Sequence, residues 1–163
     1  MKYVNFCLVV FFTLLLSAGS VEKKVPSIGY YPGEAMPNIV LTDLEGNTHT
    51  LKDYKGKKVV VSMWATYDAQ SRANNVLLHN ILEFSDKDVY FLSIAFDENV
   101  NLVKRTLNID ALNSKSNFCE VNGKDSKLYR ELKLNRGFRN YLIDENGIIK
   151  AMNFTPQELK AVI

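Results

Sequence analysis

Between Lys57 and Phe84 the pattern of apolar and polar positions changes period once, and the change is abrupt. Val59, Val60 and Val61 form a β-branched run without a turn residue, the pattern of a strand covered on both faces. A polar break follows at Thr66, Tyr67 and Asp68. Beyond Ala73 the apolar residues fall at Val76, Leu77, Ile81 and Phe84, which is helical spacing. A buried strand thus runs directly into a helix, with Asp68 placed to cap it.

The same reading extends along the chain. Ile39 to Leu41 and Thr48 to Leu51, separated by Asp43-Leu44-Glu45-Gly46-Asn47, predict a hairpin. Val89 to Ala95 predicts a second buried strand. Asp97-Glu98-Asn99 opens a helix from Val100 to about Leu107, its acidic start suited to the helix dipole. Asn108 to Lys115 reads as a loop and Asn117 to Val121 as a short strand. A turn at Asn122-Gly123 precedes a short helix that begins at Asp125 or Ser126 and ends at Leu132.

Tyr141 to Ile149 reads as strand, turn, strand around Asn146-Gly147, a strong hairpin signal. Thr155-Pro156-Gln157-Glu158 carries the cap, the first-turn proline and the reciprocal glutamate that start a final helix. Strands alternating with helices, followed by a hairpin and a helix, predict α/β packing on a central mixed sheet with an N-terminal hairpin extension.

The first residues read differently. Lys2 precedes an apolar run from Phe6 to Leu16, broken only by Thr13, and then the small residues Ser17, Ala18, Gly19 and Ser20. This is the pattern of a cleaved secretory signal, and the run falls short of the ~20 residues that cross a bilayer. The expected organisation is a signal over 1–20, an irregular lead-in over 21–33 and one domain over 34–163. The mature chain is then expected in the periplasm or outside the cell, with no stable membrane anchor. A formal charge of +2 gives no concentrated basic face and no case for nucleic acid.

Cysteine usage narrows the chemistry. Cys7 lies inside the apolar run, so Cys119 alone survives cleavage. One cysteine makes no internal disulfide and supplies only half of a dithiol cycle. Cys119 reads either as a small buried hydrophobe beside Phe118 or as a reactive thiol.

The strand-to-helix junction resembles a family at its most recognisable point. Thioredoxin-like oxidoreductases of the bacterial envelope, of the TlpA and ResA type and related to the AhpC/TSA redoxins, carry a Trp and then Cys-x-x-Cys-Arg there. Trp64, Ala65, Thr66, Tyr67 and Arg72 match, as does the passage Leu51-Lys52-Asp53-Tyr54-Lys55-Gly56-Lys57. The resemblance implies a thioredoxin-like fold over about residues 33–163 and, for the family, thiol-disulfide exchange. The sulfur is missing, however: Asp68 stands at the attacking cysteine and Ser71 at the resolving one. The family's cis-proline, counted back from Tyr141-Leu142-Ile143-Asp144, is replaced by Phe138. A cis bond before a non-proline residue costs about 2.5–4 kcal/mol, so a trans peptide and a rebuilt loop are expected.

Asp68 reads first as a plain cap and second as a fixed charge where a thiolate would sit. An unassisted Ser71 hydroxyl is a weak nucleophile. It lies eight residues from His79, about 12 Å along a helix axis, which removes a Ser-His pair. His49 and His79 read as surface residues and do not have metal-ligand spacing. No phosphate-binding glycine loop is present, so no cofactor is expected. What remains is binding of an envelope protein or peptide. Trp64, Tyr67, Phe138 and Arg139 should converge at the ends of the central strands, each either as an exposed anchor or, for Trp64 and Phe138, as core. The alternative is an oxidoreductase working through Cys119 with an external thiol, which requires a thiol pKa well below the free value of about 8.5.

Overall fold

The computed structural model describes residues 25–85, 88–112 and 116–163. The expected secretory signal, the start of the expected lead-in and part of the loop before Asn117 therefore lie outside the described residues. Val59, Val60 and Val61 belong to β3 (Lys58–Trp64), and a period of two divides them between the faces of a sheet. Val59, Val61 and Met63 enter one apolar cluster with Leu92, Ile94, Phe96, Tyr141 and Ile143. Val60 enters another with Leu78, Leu82, Phe91 and Leu142. Both faces are covered, as the unbroken β-branched run requires.

The sheet has the order β5 (Asn117–Cys119), β4 (Val89–Ala95), β3, β6 (Asn140–Ile143), β7 (Ile149–Met152). β3 pairs parallel with β4 and antiparallel with β6, and a separate hairpin joins β1 (Val40–Thr42) to β2 (Thr48–Thr50). Helices α1 (Ala69–Glu83) and α4 (Pro156–Val162) pack on the Val60 face. α2 (Val100–Ile109) covers the same face further along, against Trp64, Ala95 and Cys119. α3 (Lys127–Glu131) lies on the opposite face, where Leu128 and Tyr129 meet the Val61 cluster. The expected mixed sheet, flanking helices and hairpin extension are all present.

Three local expectations need correction. In α1 the apolar residues chosen from spacing are only partly the buried ones: Val76 and Ile81 are half-buried and pack against the core clusters. Ser71, Asn75, Leu78, His79 and Leu82 face the sheet, while Leu77 and Phe84 are exposed. The helix carries two stripes, and the one with more polar residues is buried because it continues from the Ser71 position, held against the sheet end. His79 is accordingly not a surface residue but lies edge-on to Phe91. The start of α2 is capped by Asn99, whose side chain accepts from the Leu102 N–H; Asp97 turns elsewhere. The hairpin expected around Asn146-Gly147 is present, with β6 antiparallel to β7. Asp144 Oδ1 accepts from the Asn146 and Ile148 N–H groups, and only Gly147 has positive φ (83°). Asp43 builds the same turn, accepting from Glu45 and Asn47 ahead of β2.

Both outer strands are covered. The Asp43 backbone bridges Phe118 of β5. On the other side Gly33 N–H donates to Ile149 O at 2.8 Å, Ile149 N–H to Glu34 O at 2.9 Å and Met36 N–H to Gly147 O at 2.9 Å. The end of the lead-in is thus fastened along β7.

Candidate functional site

β3 and β4 end side by side, with Trp64 opposite Ala95. The chain continues from β3 through Ala65, Thr66, Tyr67 and Asp68 into α1, and the register carried two residues on places Thr66 beside Asp97. Asp97 is buried, with Oδ2 accepting from the Thr66 N–H at 2.9 Å and Oδ1 from the Thr66 hydroxyl at 2.6 Å. This latch fixes the loop that leads into the helix. Asp97 was legible only as an acidic residue near a helix start, because its role depends on the pairing of two strands distant in sequence.

Asp68 and Ser71 occupy the first turn of α1 and satisfy each other. Asp68 Oδ1 accepts from the Ser71 N–H at 2.8 Å, the bond of an N-cap. The Ser71 hydroxyl donates to Asp68 O at 3.2 Å and accepts from the Ala65 N–H at 3.3 Å. Ser71 is buried. Both roles of its hydroxyl are used in closing the turn, and among the described residues it donates to a backbone carbonyl and not to a base, so it is not an activated nucleophile. Arg72, the other matching residue, points away and grips Asp110 with two bonds of 2.6 and 2.7 Å.

Of the four expected binding residues, three are accessible at this end of the sheet. Tyr67 is 52% exposed. Its ring lies 6.3 Å from that of Phe138, and Lys124 Nζ sits 4.5 Å from its centroid. Burial of its hydroxyl side, with Tyr129 and the Asp97, Asp68 and Glu98 carboxylates nearby, pushes the Tyr67 phenol up to about 12, so it is a neutral donor at physiological pH.

Phe138 is half-buried and meets Phe96 and Tyr129 as well, making a four-ring cluster. No cis peptide occurs among the described residues, so the peptide before Phe138 is trans. The preceding Gly137 has φ 122° and ψ 147°, a backbone region essentially confined to glycine. That conformation sets the direction of the rebuilt loop, and Arg139 O anchors its far side by accepting from the Met63 N–H at 2.9 Å. The Arg139 side chain is half-buried beside Tyr141, opposing the upward push that burial gives that phenol.

Trp64 is the exception and is corrected from a binding anchor to core. It is 1% exposed, and its indole N–H donates to Ser93 Oγ at 2.8 Å. As the last residue of the central strand it shares a buried cluster with Val103 and Leu107 of α2 and with Leu112 just beyond that helix.

Cys119 does not meet the requirement for a reactive thiol. Its side chain is buried, its Sγ–H donates to Asp97 O at 3.2 Å, and burial pushes the thiol up to about 11, the reverse of the lowering that thiolate chemistry needs. At pH 7 the group is then held as the thiol. Native protein is expected to resist iodoacetamide at neutral pH and to react at once in urea, read by mass spectrometry. The raised value also sets a sign. The unfolded thiol ionises near pH 8.5 and the folded one near 11. Between those values the native state holds the extra proton, so stability falls as pH rises. Cys119→Ala is expected to flatten that decline.

Comparison with known proteins places this geometry. The family model described as Redoxin matches residues 31–160. The thiol-disulfide oxidoreductase ResA of Bacillus cereus is 32% identical over 94 residues, covering 57% of this chain and 51% of that protein. The chain therefore spans about half the length of the curated relatives it matches. The crystal structure of a thioredoxin-like protein from Parabacteroides distasonis superimposes with a TM-score of 0.69 at 35% identity, covering 83% of this chain and 96% of that one. The thioredoxin domain of a thiol-disulfide oxidoreductase from Bacteroides vulgatus shares the fold, with a TM-score of 0.71 at 21% identity over 82% of this chain and 96% of that one.

Proposed function

Since the chain belongs to the Redoxin family, with a thioredoxin-like fold, we propose that it keeps the family's frame without its thiol exchange and acts outside the cytoplasm as a binding or assembly module. The observation that carries this reading is the closed turn at Asp68 and Ser71. Dithiol exchange needs a thiolate at the helix start and a second thiol to release the product. Here a carboxylate and a hydroxyl occupy both positions, the carboxylate accepting from the Ser71 backbone N–H and the hydroxyl donating to the Asp68 backbone carbonyl. The helix terminus is retained, and the charge it stabilises cannot be oxidised.

The surface offered to a partner is Tyr67 with Phe138, edged by Lys124 and Arg139. Exposed aromatic rings beside cations are the residue types that anchor protein and peptide partners. An envelope protein or peptide is the partner class, consistent with the secretory pattern of residues 1–20. The alternative of exchange through Cys119 is disfavoured by that thiol's burial and raised pKa.

Two measurements test the proposal together. In an insulin-reduction assay the wild-type chain is expected to stay at the rate of the blank. Turnover that survives Cys119→Ala would overturn the loss of exchange. In a pull-down from envelope extract, a specific partner is expected with the wild-type chain and reduced recovery with Tyr67→Ala and with Phe138→Ala. Equal recovery by both variants would remove the aromatic face from the proposal.

A further inference from the structure

We propose a second site, at the opposite end of β3 from the Asp68 turn, that takes an amphipathic carboxylate: a small monoacid with an apolar tail. β3 has seven residues, so the two ends lie about 20 Å apart. Beside its first residues a cavity of about 390 Å³ opens between the end of the lead-in, the 3-10 turn Leu51–Tyr54 and the β6–β7 turn. That volume lies at the lower end of small-molecule sites, which are roughly 300–1,000 Å³.

The cavity floor is apolar. Met36, Val59 and Ile143 belong to the buried core, and Leu51 and Tyr54 pack beside them. Three lysines, Lys52, Lys55 and Lys57, also line the cavity. Their charge has little answer within the protein. Against three ammonium groups the lining carries one carboxylate, Asp144, whose Oδ1 accepts from two backbone N–H groups of its own turn. Asp53 Oδ2 accepts from the Thr50 N–H at 2.7 Å. Among the described residues Lys52 and Lys55 have no ion-pair partner, while Lys57 Nζ rests 4.0 Å from the centre of the Tyr90 ring.

The walls are tied to one another. Leu51 N–H donates to Ile39 O, Lys52 N–H to Asn38 Oδ1, Met36 N–H to Gly147 O and Gly56 N–H to Glu145 O, all within 3.0 Å. The hollow is thus held by three joined segments and is not a gap beside one loop.

Charge and shape together select the ligand. A hydrophilic anion would meet only exposed ammonium groups, which contribute little in water. A neutral apolar molecule would leave the lysines unanswered. A carboxylate with an apolar tail fills the hollow and supplies the missing counter-charge. The site shares no residue with the Tyr67 and Phe138 face, so each assignment can fail without the other.

The test is an NMR titration of the full chain labelled at its methionine methyl groups, with octanoate as probe and acetate and octanol as controls. Octanoate is expected to shift the Met36 methyl saturably and to leave Met63, near the other end of β3, unmoved. Acetate and octanol should bind more weakly by roughly tenfold, and Lys52→Glu with Lys55→Glu should weaken octanoate by a similar factor. Both lysines are exposed, so the double variant should keep the wild-type urea midpoint. An unmoved Met36 methyl, octanol binding as tightly as octanoate, or an unchanged octanoate affinity in the double variant would overturn the assignment.

Discussion

A chain carrying Asp68→Cys and Ser71→Cys together is expected to reduce insulin with multiple turnovers when dithiothreitol regenerates the dithiol, where the wild-type chain does not rise above the dithiothreitol blank. The geometry for exchange is already in place. The Asp68 side chain folds back over the first turn of α1 and reaches the Ser71 N–H at 2.8 Å. A cysteine at position 68 would lie against the same free N–H groups, and the helix dipole would lower its pKa below the ordinary 8.5 or so. Position 71 is buried one turn along, where a second sulfur can close on the first and release a bound product.

Asp68→Cys alone is expected to form mixed disulfides that do not turn over, since nothing resolves them. The outcome separates the two departures from the family. If the double variant oxidises to a disulfide, seen as a mass loss of two hydrogens, yet reduces no insulin, then the trans loop at Phe138 is also limiting. If it turns over, the missing sulfur alone accounts for silence in the wild type.

Trp64→Ala is expected to cause the largest loss of stability among single changes near the site, about 3–5 kcal/mol. The indole shares a buried cluster at the end of β3 with Val103, Leu107 and Leu112. Against a total stability of about 5–15 kcal/mol, the variant should show a strongly lowered urea midpoint or fail to fold. Trp64→Phe separates packing from polarity. It keeps most of the apolar surface but removes the N–H that Ser93 Oγ accepts, a smaller loss of about 1–2 kcal/mol. A Trp64→Ala chain that unfolds at the wild-type midpoint and loses only its partner would restore the indole as an anchor.

Much of the fold was legible where one local signal decides an element. The Val59–Val61 run marked the central strand, Val89–Ala95 its parallel neighbour, and Thr155 with Glu158 the start of α4, where the capping box is present. The junction residues were legible as well, since Asp68 and Ser71 lie within one turn of each other.

What could not be read depends on tertiary contact. The spacing alone misplaces the buried face of α1 in part, because Leu77 and Phe84, which are exposed, continue a stripe with Ile81 as regular as the one through Leu78 and Leu82. Which stripe meets the sheet follows from how the helix leaves β3. The Thr66–Asp97 latch depends on the register between two strands and leaves no mark in either segment alone. Trp64 was ambiguous for a related reason: an aromatic residue at a strand end is an anchor or a plug according to which helix passes over it.

The covered flanks of the sheet have a bearing on how the molecule lives beside others. An unoccupied outermost strand is a template on which foreign or identical chains can extend into filaments. Here the Asp43 bridge and the fastened segment before Met36 obstruct that growth on either side. The obstruction is made by backbone pairing and turns, without a covalent staple. Visitors are therefore directed to the strand tips, where side chains rather than main chain do the recognising and where trading one residue can change which visitor is admitted.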